Sequence, residues 1–214
     1  MNTTSTLPGA ALADLESGLK MLDLPLDLAG PLSDYLRLLL HWNRAYNLTA
    51  IRDPQQMVSR HLLDSLTLLP YIHQQSLADL GSGAGLPGIP LALARPQLQV
   101  TLVESNGKKA RFLREVARQL ALNNVEIVHL RIEAFARAAH YPHITARALA
   151  SLADIVQAGG HLLAPKGQFL AMKGVYPSKE ISALPKGWQL KAAHRLQVPH
   201  LVADERHLLV IERA

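Results

Sequence analysis

Cysteine is missing altogether from this 214-residue sequence, and the absence removes whole chemistries. Disulfides, Cys-ligated zinc, iron–sulfur clusters and thiolate nucleophiles are all excluded. Radical chemistry on a three-cysteine cluster and methylation of a pyrimidine carbon through a cysteine adduct fall with them. Aromatic residues are scarce, at 5%, so recognition of many bases by stacking is not expected. No apolar run nears the roughly 18 residues that a bilayer span requires. The opening MNTTSTLPGA lacks the basic-then-apolar layout of a signal peptide. The expectation is a soluble, cytoplasmic protein without membrane contact, working through oxygen, nitrogen, backbone groups or a reactive cofactor.

Hydrophobic residues are plentiful, at 49% against 18% charged, enough for the core of one ordinary domain. The formal net charge of +5 favours polyanions, nucleic acid first. A generally basic enzyme would carry the same balance, so charge alone does not decide the partner.

Two regions differ in pattern. In residues 1–75, Leu12, Leu15, Leu19 and Leu22 recur at helical spacing, and Pro31, Ser33 and Asp34 open a helix through Trp42. Asp53-Pro54 starts a third helix, an N-cap followed by proline, with Met57, His61, Leu62, Leu66 and Leu69 on one stripe to Pro70. Residues 76–214 alternate instead. SLADLG, LQVTLVES, NVEIVHL, HITARALA and GQFLAMKG read as strands, with helices at PGIPLALARP and KKARFLREVARQLAL and short helical stretches near 133–139, 151–160 and 178–184. This order predicts an α/β fold with a mostly parallel sheet, a helical cap before it, and one compact unit overall. LKAAHRLQVPH and RHLLVIER close the chain as an antiparallel hairpin with a short polar link at Ala203-Asp204.

The segment Asp79-Leu80-Gly81-Ser82-Gly83-Ala84-Gly85-Leu86-Pro87-Gly88 lies between the first strand and the first helix of the alternating region. A dinucleotide fingerprint from Gly81 would need a third glycine where Leu86 stands, and a phosphate-binding P-loop would continue Lys-Ser/Thr where Ile89-Pro90 stand. The pattern that remains is acidic-x-Gly-x-Gly-x-Gly, common in S-adenosylmethionine enzymes. Glu104 ends the next strand, where a carboxylate can accept from both ribose hydroxyls of an adenosyl group. Free N–H groups beside Pro87 and Pro90 are expected to meet the ligand's carboxylate. Asp79, Gly81, Gly83, Gly85 and Glu104 are therefore the candidate cofactor residues.

With HWNRAYNLTAIRDP, RHLLDS, DLGSGAGLPGIPLA, ES-x-x-KK-x-RFL, RIE, RALASL, MKG, LQVPHL and ERHLLVI, the chain resembles the bacterial small-subunit rRNA guanine-N7 methyltransferase family, RsmG, formerly GidB. The resemblance implies a class I, Rossmann-like, seven-stranded methyltransferase sheet with a helical cap. It also implies methyl transfer from S-adenosyl-L-methionine to N7 of one guanine in 16S rRNA. The expected enzyme is a monomer, and the expected substrate is a small-subunit ribosomal particle, with naked rRNA as the alternative. It places Gly81 and Leu86 at cofactor contacts, Ile132 and Glu133 beside the adenine, and Arg147 at the pocket mouth. Residues 1–15 extend beyond what the resemblance accounts for and are expected to be disordered.

Guanine N7 carries a lone pair and no proton, so its methylation needs alignment rather than a general base. The Asn/Asp-Pro-Pro-aromatic motif of many exocyclic-amine methylases is missing. A small-molecule methyltransferase, a non-catalytic S-adenosylmethionine-binding RNA module and a dehydrogenase are the rival readings.

Arg60, His61 and Asp64 share a helix and divide between an ion-paired or hydrogen-bonded face, a cap facing cofactor or guanine, and a metal site, the last short of ligands. Lys173 follows a strand on the ligand side of the sheet and is a candidate for RNA phosphate, or an ordinary surface lysine. Together with Arg147 these form the substrate-side set. Lys108, Arg111, Arg114 and Arg118 share one arc of a helix opposite Ala110, Phe112, Leu113, Val116 and Leu120, as a solvated face or a phosphate-binding one. Trp42, Asn43, Arg44 and Tyr46 divide between core packing and a substrate-facing rim, with Trp42 expected in the core and Arg44 on the surface. His200, Arg206 and His207 at the last hairpin are weaker candidates of the same kind as Lys173.

Overall fold

A computed structural model describes residues 7–147 and 150–214. Ala148 and Leu149, which end the expected strand in the RALASL segment, lie outside the described residues, as do residues 1–6 of the N-terminus.

The N-terminal region is helical. The expectation of disorder through residue 15 is corrected by α1 (Gly9–Met21), which buries Ala11, Leu15 and Leu19 at intervals of one turn. That stripe gives a short helix the tertiary burial that its own propensity does not supply. α2 (Ala29–Tyr46) begins two residues before Pro31, which sits in the first turn where its missing N–H costs nothing. Asp53 caps α3 (Pro54–Met57), accepting from the N–H groups of Gln55 and Gln56. The helix then widens into a π-helical turn (Val58–Leu63) before α4 (Asp64–Leu66). The stripe read from the sequence is buried throughout, but the helix ends at Leu66 rather than at Pro70. Trp42 is half-buried and Arg44 exposed. Among the described residues, no helix is long and apolar enough to cross a membrane.

Among the described residues, seven strands form one sheet: β1 (Ser76–Leu80), β2 (Gln99–Val103), β3 (Val125–Val128), β4 (Tyr141–Arg147), β5 (Leu163–Lys173), β6 (Trp188–Arg195) and β7 (His207–Arg213), in the order β3-β2-β1-β4-β5-β7-β6. The first five are parallel, and β7 runs antiparallel between β5 and β6. The helices α5 (Gly88–Ala94), α6 (Gly107–Gln119), α7 (Leu152–Gly159) and α8 (Ser178–Ser182) lie between strands. A side chain alternates faces along a strand, and β1 shows this directly. Leu77 packs with α5, α6 and the N-terminal helices, while Ala78 and Leu80 pack with α7 on the other side. The cap and one sheet face thus share a continuous core.

The closing antiparallel pair is present, but its link is not the short turn expected. Residues 196–206 connect β6 to β7. Leu196 and Val198 are drawn into the core shared with the cap, so the chain must travel across the sheet end before returning.

Candidate cofactor and substrate site

β1 pairs with β2 on one side and β4 on the other, so the crevice outside the strand ends there is the ligand position expected of an open α/β sheet. A cavity of about 780 Å³ occupies it, within the usual range for small-molecule sites.

The glycine loop forms its floor. Gly83 holds φ at +58°, which turns its N–H onto Glu104 Oε2 at 2.9 Å. Asn106 N–H donates to the other oxygen, Oε1, at 2.7 Å. Two backbone donors therefore fix a buried carboxylate on the cavity wall, with lone pairs left for further donors. Gly81, Gly83, Leu86, Glu104, Ile132 and Glu133 all line the cavity, the last two from a 3₁₀ turn at Ile132–Ala134.

Two expected cofactor residues do not. Asp79 is wholly buried beneath the loop and accepts from Gly88 N–H at 3.0 Å. Burial pushes its carboxyl up to about 7, against the lowering effects of that hydrogen bond and of Arg147. Its role is to hold the loop against α5. A Cβ on Gly88 would press on the Leu102 side chain and lie 2.8 Å from Asp79 Oδ2, so a larger residue would have to displace both buried side chains. Gly85 also faces inward, where a Cβ would meet Ile89 and Leu113. The expectation that N–H groups opening α5 meet a ligand is likewise corrected. Gly88 N–H serves Asp79, and Ile89 N–H bonds the Gly85 carbonyl.

The cap supplies the opposite wall. Arg60, His61 and Asp64 line the cavity from the π turn and the start of α4. The π geometry adds a residue to the turn, a feature frequent at functional sites. His61 is hydrogen-bonded to Thr49 Oγ1 at 2.8 Å and to the Arg60 carbonyl at 3.0 Å. Desolvation, then the charge of Arg147, lowers its pKa to about 4, so the ring is neutral at pH 7. Asp64 is almost completely buried and pairs with arginines rather than with His61. Arg147 Nη1 reaches Asp64 Oδ2 at 3.1 Å and the Arg60 carbonyl at 2.9 Å, and Arg206 Nε lies 3.3 Å from Asp64 Oδ1. Arg60 in turn pairs with Asp204 at 2.6 Å. Of the three readings left open for this helix face, the ion-paired, hydrogen-bonded one describes the contacts, and the face borders the cavity as well. Lys173 also lines it, with Nζ donating to Glu180 Oε2 and the Ala150 carbonyl, both at 2.8 Å.

Three contributors were singled out weakly or not at all in the sequence. Tyr35 of α2 is buried and donates its hydroxyl to the Ala84 carbonyl at 2.7 Å, tying cap to glycine loop. Asn43 clamps the segment after α2, accepting from Thr49 N–H at 2.9 Å and donating to the Thr49 carbonyl at 3.0 Å. That clamp sets Leu48, Thr49 and Ile51 on the cavity wall. Arg206 completes the pairing of Asp64 from the far end of the chain. Tyr35 and Asn43 belong to an amphipathic helix, and only buried polar atoms among its apolar neighbours could have marked them. In all, Arg60, Lys109, Arg131, Arg147, Lys173 and Arg206 line the cavity against the carboxylates of Asp64, Glu104 and Glu133, a net positive wall.

Comparison with known proteins agrees with this geometry. The family model described as rRNA small subunit methyltransferase G matches residues 29–209. A protein of Stenotrophomonas maltophilia (strain R551-3) named ribosomal RNA small subunit methyltransferase G is 60% identical over 205 residues, 96% of either chain. One of the same name from Xanthomonas campestris pv. campestris (strain B100) is 59% identical over 209 residues, 98% of either chain. A solved SAM-dependent methyltransferase from Aquifex aeolicus shares the fold at a TM-score of 0.59 and 12% identity, over 74% of this chain and 93% of that one.

Proposed function

This chain belongs to the rRNA small subunit methyltransferase G family, and we propose that it methylates N7 of one guanine in 16S rRNA, using S-adenosyl-L-methionine and acting as a cytoplasmic monomer on a small-subunit ribosomal particle. In this reading residues 1–75 cap the methyltransferase unit formed by 76–214. The observation that carries it is Glu104, a buried carboxylate fixed by two backbone N–H groups on the wall of a cavity opposite an arginine cluster.

The residues present suit the cofactor. Glu104 offers acceptors for the vicinal ribose hydroxyls, Ile132 and Leu86 offer apolar surface for a purine, and Gly81 and Gly83 let backbone approach without a Cβ. When bound, S-adenosylmethionine supplies a methyl carbon activated by its sulfonium. The chain's part is to hold the base in line and to exclude water, an alignment worth up to roughly 7–11 kcal/mol in favourable cases. Because N7 has no proton to lose, His61 need only stay neutral and Asp64 need only hold Arg147 and Arg206 toward the base and its phosphates.

The test is transfer of labelled methyl from S-adenosylmethionine to small ribosomal particles from cells lacking this gene, followed by nucleoside digestion and mass spectrometry. Label in 7-methylguanosine at a single site is expected. Label in another nucleoside overturns the N7 assignment. Cofactor binding without any label overturns catalysis on rRNA in favour of a small-molecule substrate or a binding module.

A further inference from the structure

We propose that the first two turns of α6, with the end of α2, form a track that holds the rRNA strand flanking the target base. The inference rests on the rRNA reading above and adds to it a surface and its chemistry. Lys108, Arg111 and Arg114 are exposed on one arc of α6. Among the described residues, neither these three nor Lys109 and Arg44 have a carboxylate within ion-pair distance. The cations nearer the centre of the site are instead mostly ion-paired, Arg60 with Asp204, Arg147 and Arg206 sharing Asp64, and Lys173 with Glu180, while Arg131 on the cavity wall has no such partner among the described residues. On α6 itself the uncompensated run stops at Arg118, which Glu115 binds through two hydrogen bonds. The first half of α6 thus carries a run of four cations without ion pairs, Lys108, Lys109, Arg111 and Arg114, beside the cavity whose wall includes Lys109.

Aromatic surface lies beside it. Trp42 of α2 rests on Phe112 of α6, with ring centroids 5.7 Å apart, and Tyr46 stacks on Trp42 at 5.2 Å and 27°. Lys108 Nζ sits 6.0 Å from the Tyr46 ring centroid. Trp42 and Tyr46 are only half-buried, and the chain passes from Tyr46 to Leu48 and Thr49 on the cavity wall. Cations three residues apart on a helix rise by about 4.5 Å each along the axis, so their long side chains can follow consecutive phosphates. The half-exposed Tyr46 ring among them offers a platform for one base, the combination that single-stranded nucleic acid requires. An acidic protein segment would use the charges but has no need of the stacked rings, so RNA is the occupant favoured.

The test compares binding of protein-free 16S rRNA across a salt series for three proteins. They are the wild type, a K108Q/R111Q/R114Q variant and a K166Q/K179Q/K186Q variant that removes equal charge from exposed lysines elsewhere. The α6 variant is expected to bind about tenfold more weakly or worse, with the log–log salt slope reduced by about two. Its S-adenosylmethionine affinity should be unchanged, and the comparison variant should bind within threefold of wild type. Tyr46→Ala should weaken binding several-fold, with Tyr46→Phe restoring it. An α6 variant that keeps the wild-type salt slope overturns the proposal. It is overturned equally if that variant binds rRNA normally yet fails on particles, which would assign the surface to a ribosomal protein. If wild-type protein forms 7-methylguanosine on particles while these outcomes occur, the track alone has failed. If it forms none, the rRNA reading has failed first.

Discussion

Glu104 is the side chain whose surroundings define its task most narrowly. Both oxygens already accept backbone hydrogen bonds, so the carboxylate cannot swing away from the cavity. Glu104→Gln removes the charge and leaves an amide facing one of those N–H donors. A lost charge-assisted hydrogen bond is worth about 1.5–3 kcal/mol, so S-adenosylmethionine affinity by titration calorimetry should fall at least about tenfold. Unchanged affinity would remove Glu104 from the cofactor site. The buried titratable groups make a second prediction. His61 and His143 both have pKa values lowered to about 4, chiefly by burial. The unfolded chain therefore binds more protons than the native one between about pH 4 and 6.5, and stability falls as pH drops through that window. Asp79, raised to about 7, works the other way, its share falling as pH rises from about 4 to 7. Urea midpoints at pH 7.5 and 5 should show His143→Asn losing less stability on acidification than wild type does. An equal loss would mean that His143 takes up its proton in the fold as readily as in the unfolded chain.

Among the elements, α1 contributes most that was not expected of it. Its stripe was legible from Leu12, Leu15, Leu19 and Leu22, yet nothing local told whether a surface awaited it. Leu15 is fully buried, and Leu15→Ala should cost about 2–5 kcal/mol in denaturant melts. A cost under about 0.5 kcal/mol would mean that α1 does not pack in solution. The parallel strands were readable because strands covered on both faces are nearly continuous apolar runs, as Leu77–Leu80 show. The π turn was not, because an extra residue in a helix leaves the apolar stripe of Met57, His61 and Leu62 intact while changing which side chains face the cavity. The length of the β6–β7 connection was likewise hidden. Leu196 and Val198 look like strand residues until the core they enter is known.

For the whole molecule, a ligand that binds only the folded state stabilises it by mass action. S-adenosylmethionine at about a hundred times its dissociation constant should add about 2.7 kcal/mol, or roughly 5–10 °C in melting temperature for a chain of this size. NAD at the same concentration should add nothing, because Leu86 replaces the glycine of the dinucleotide fingerprint. Equal stabilisation by NAD would reopen the dehydrogenase reading. The cap takes part in this linkage, since the Tyr35 hydroxyl holds the Ala84 carbonyl of the loop and one core runs through both.

The features that spacing alone fixes are local in the chain: the strand–loop–helix carrying Gly81, Gly83 and Leu86, the acidic strand end at Glu104, and the segregated basic arc of α6. Each is set within a few turns or by one strand-to-strand step. Folding was needed to show that Asp79 and Gly85 support the loop from beneath, that Asp64 joins Arg147 to Arg206, and that Lys173 is paired while Lys108, Arg111 and Arg114 have no carboxylate partner among the described residues. Burial and ion pairing depend on distances between groups far apart in sequence. Asp64 and Arg206 meet because the sheet order returns the last strand beside β5 and carries the connection before it over the strand ends.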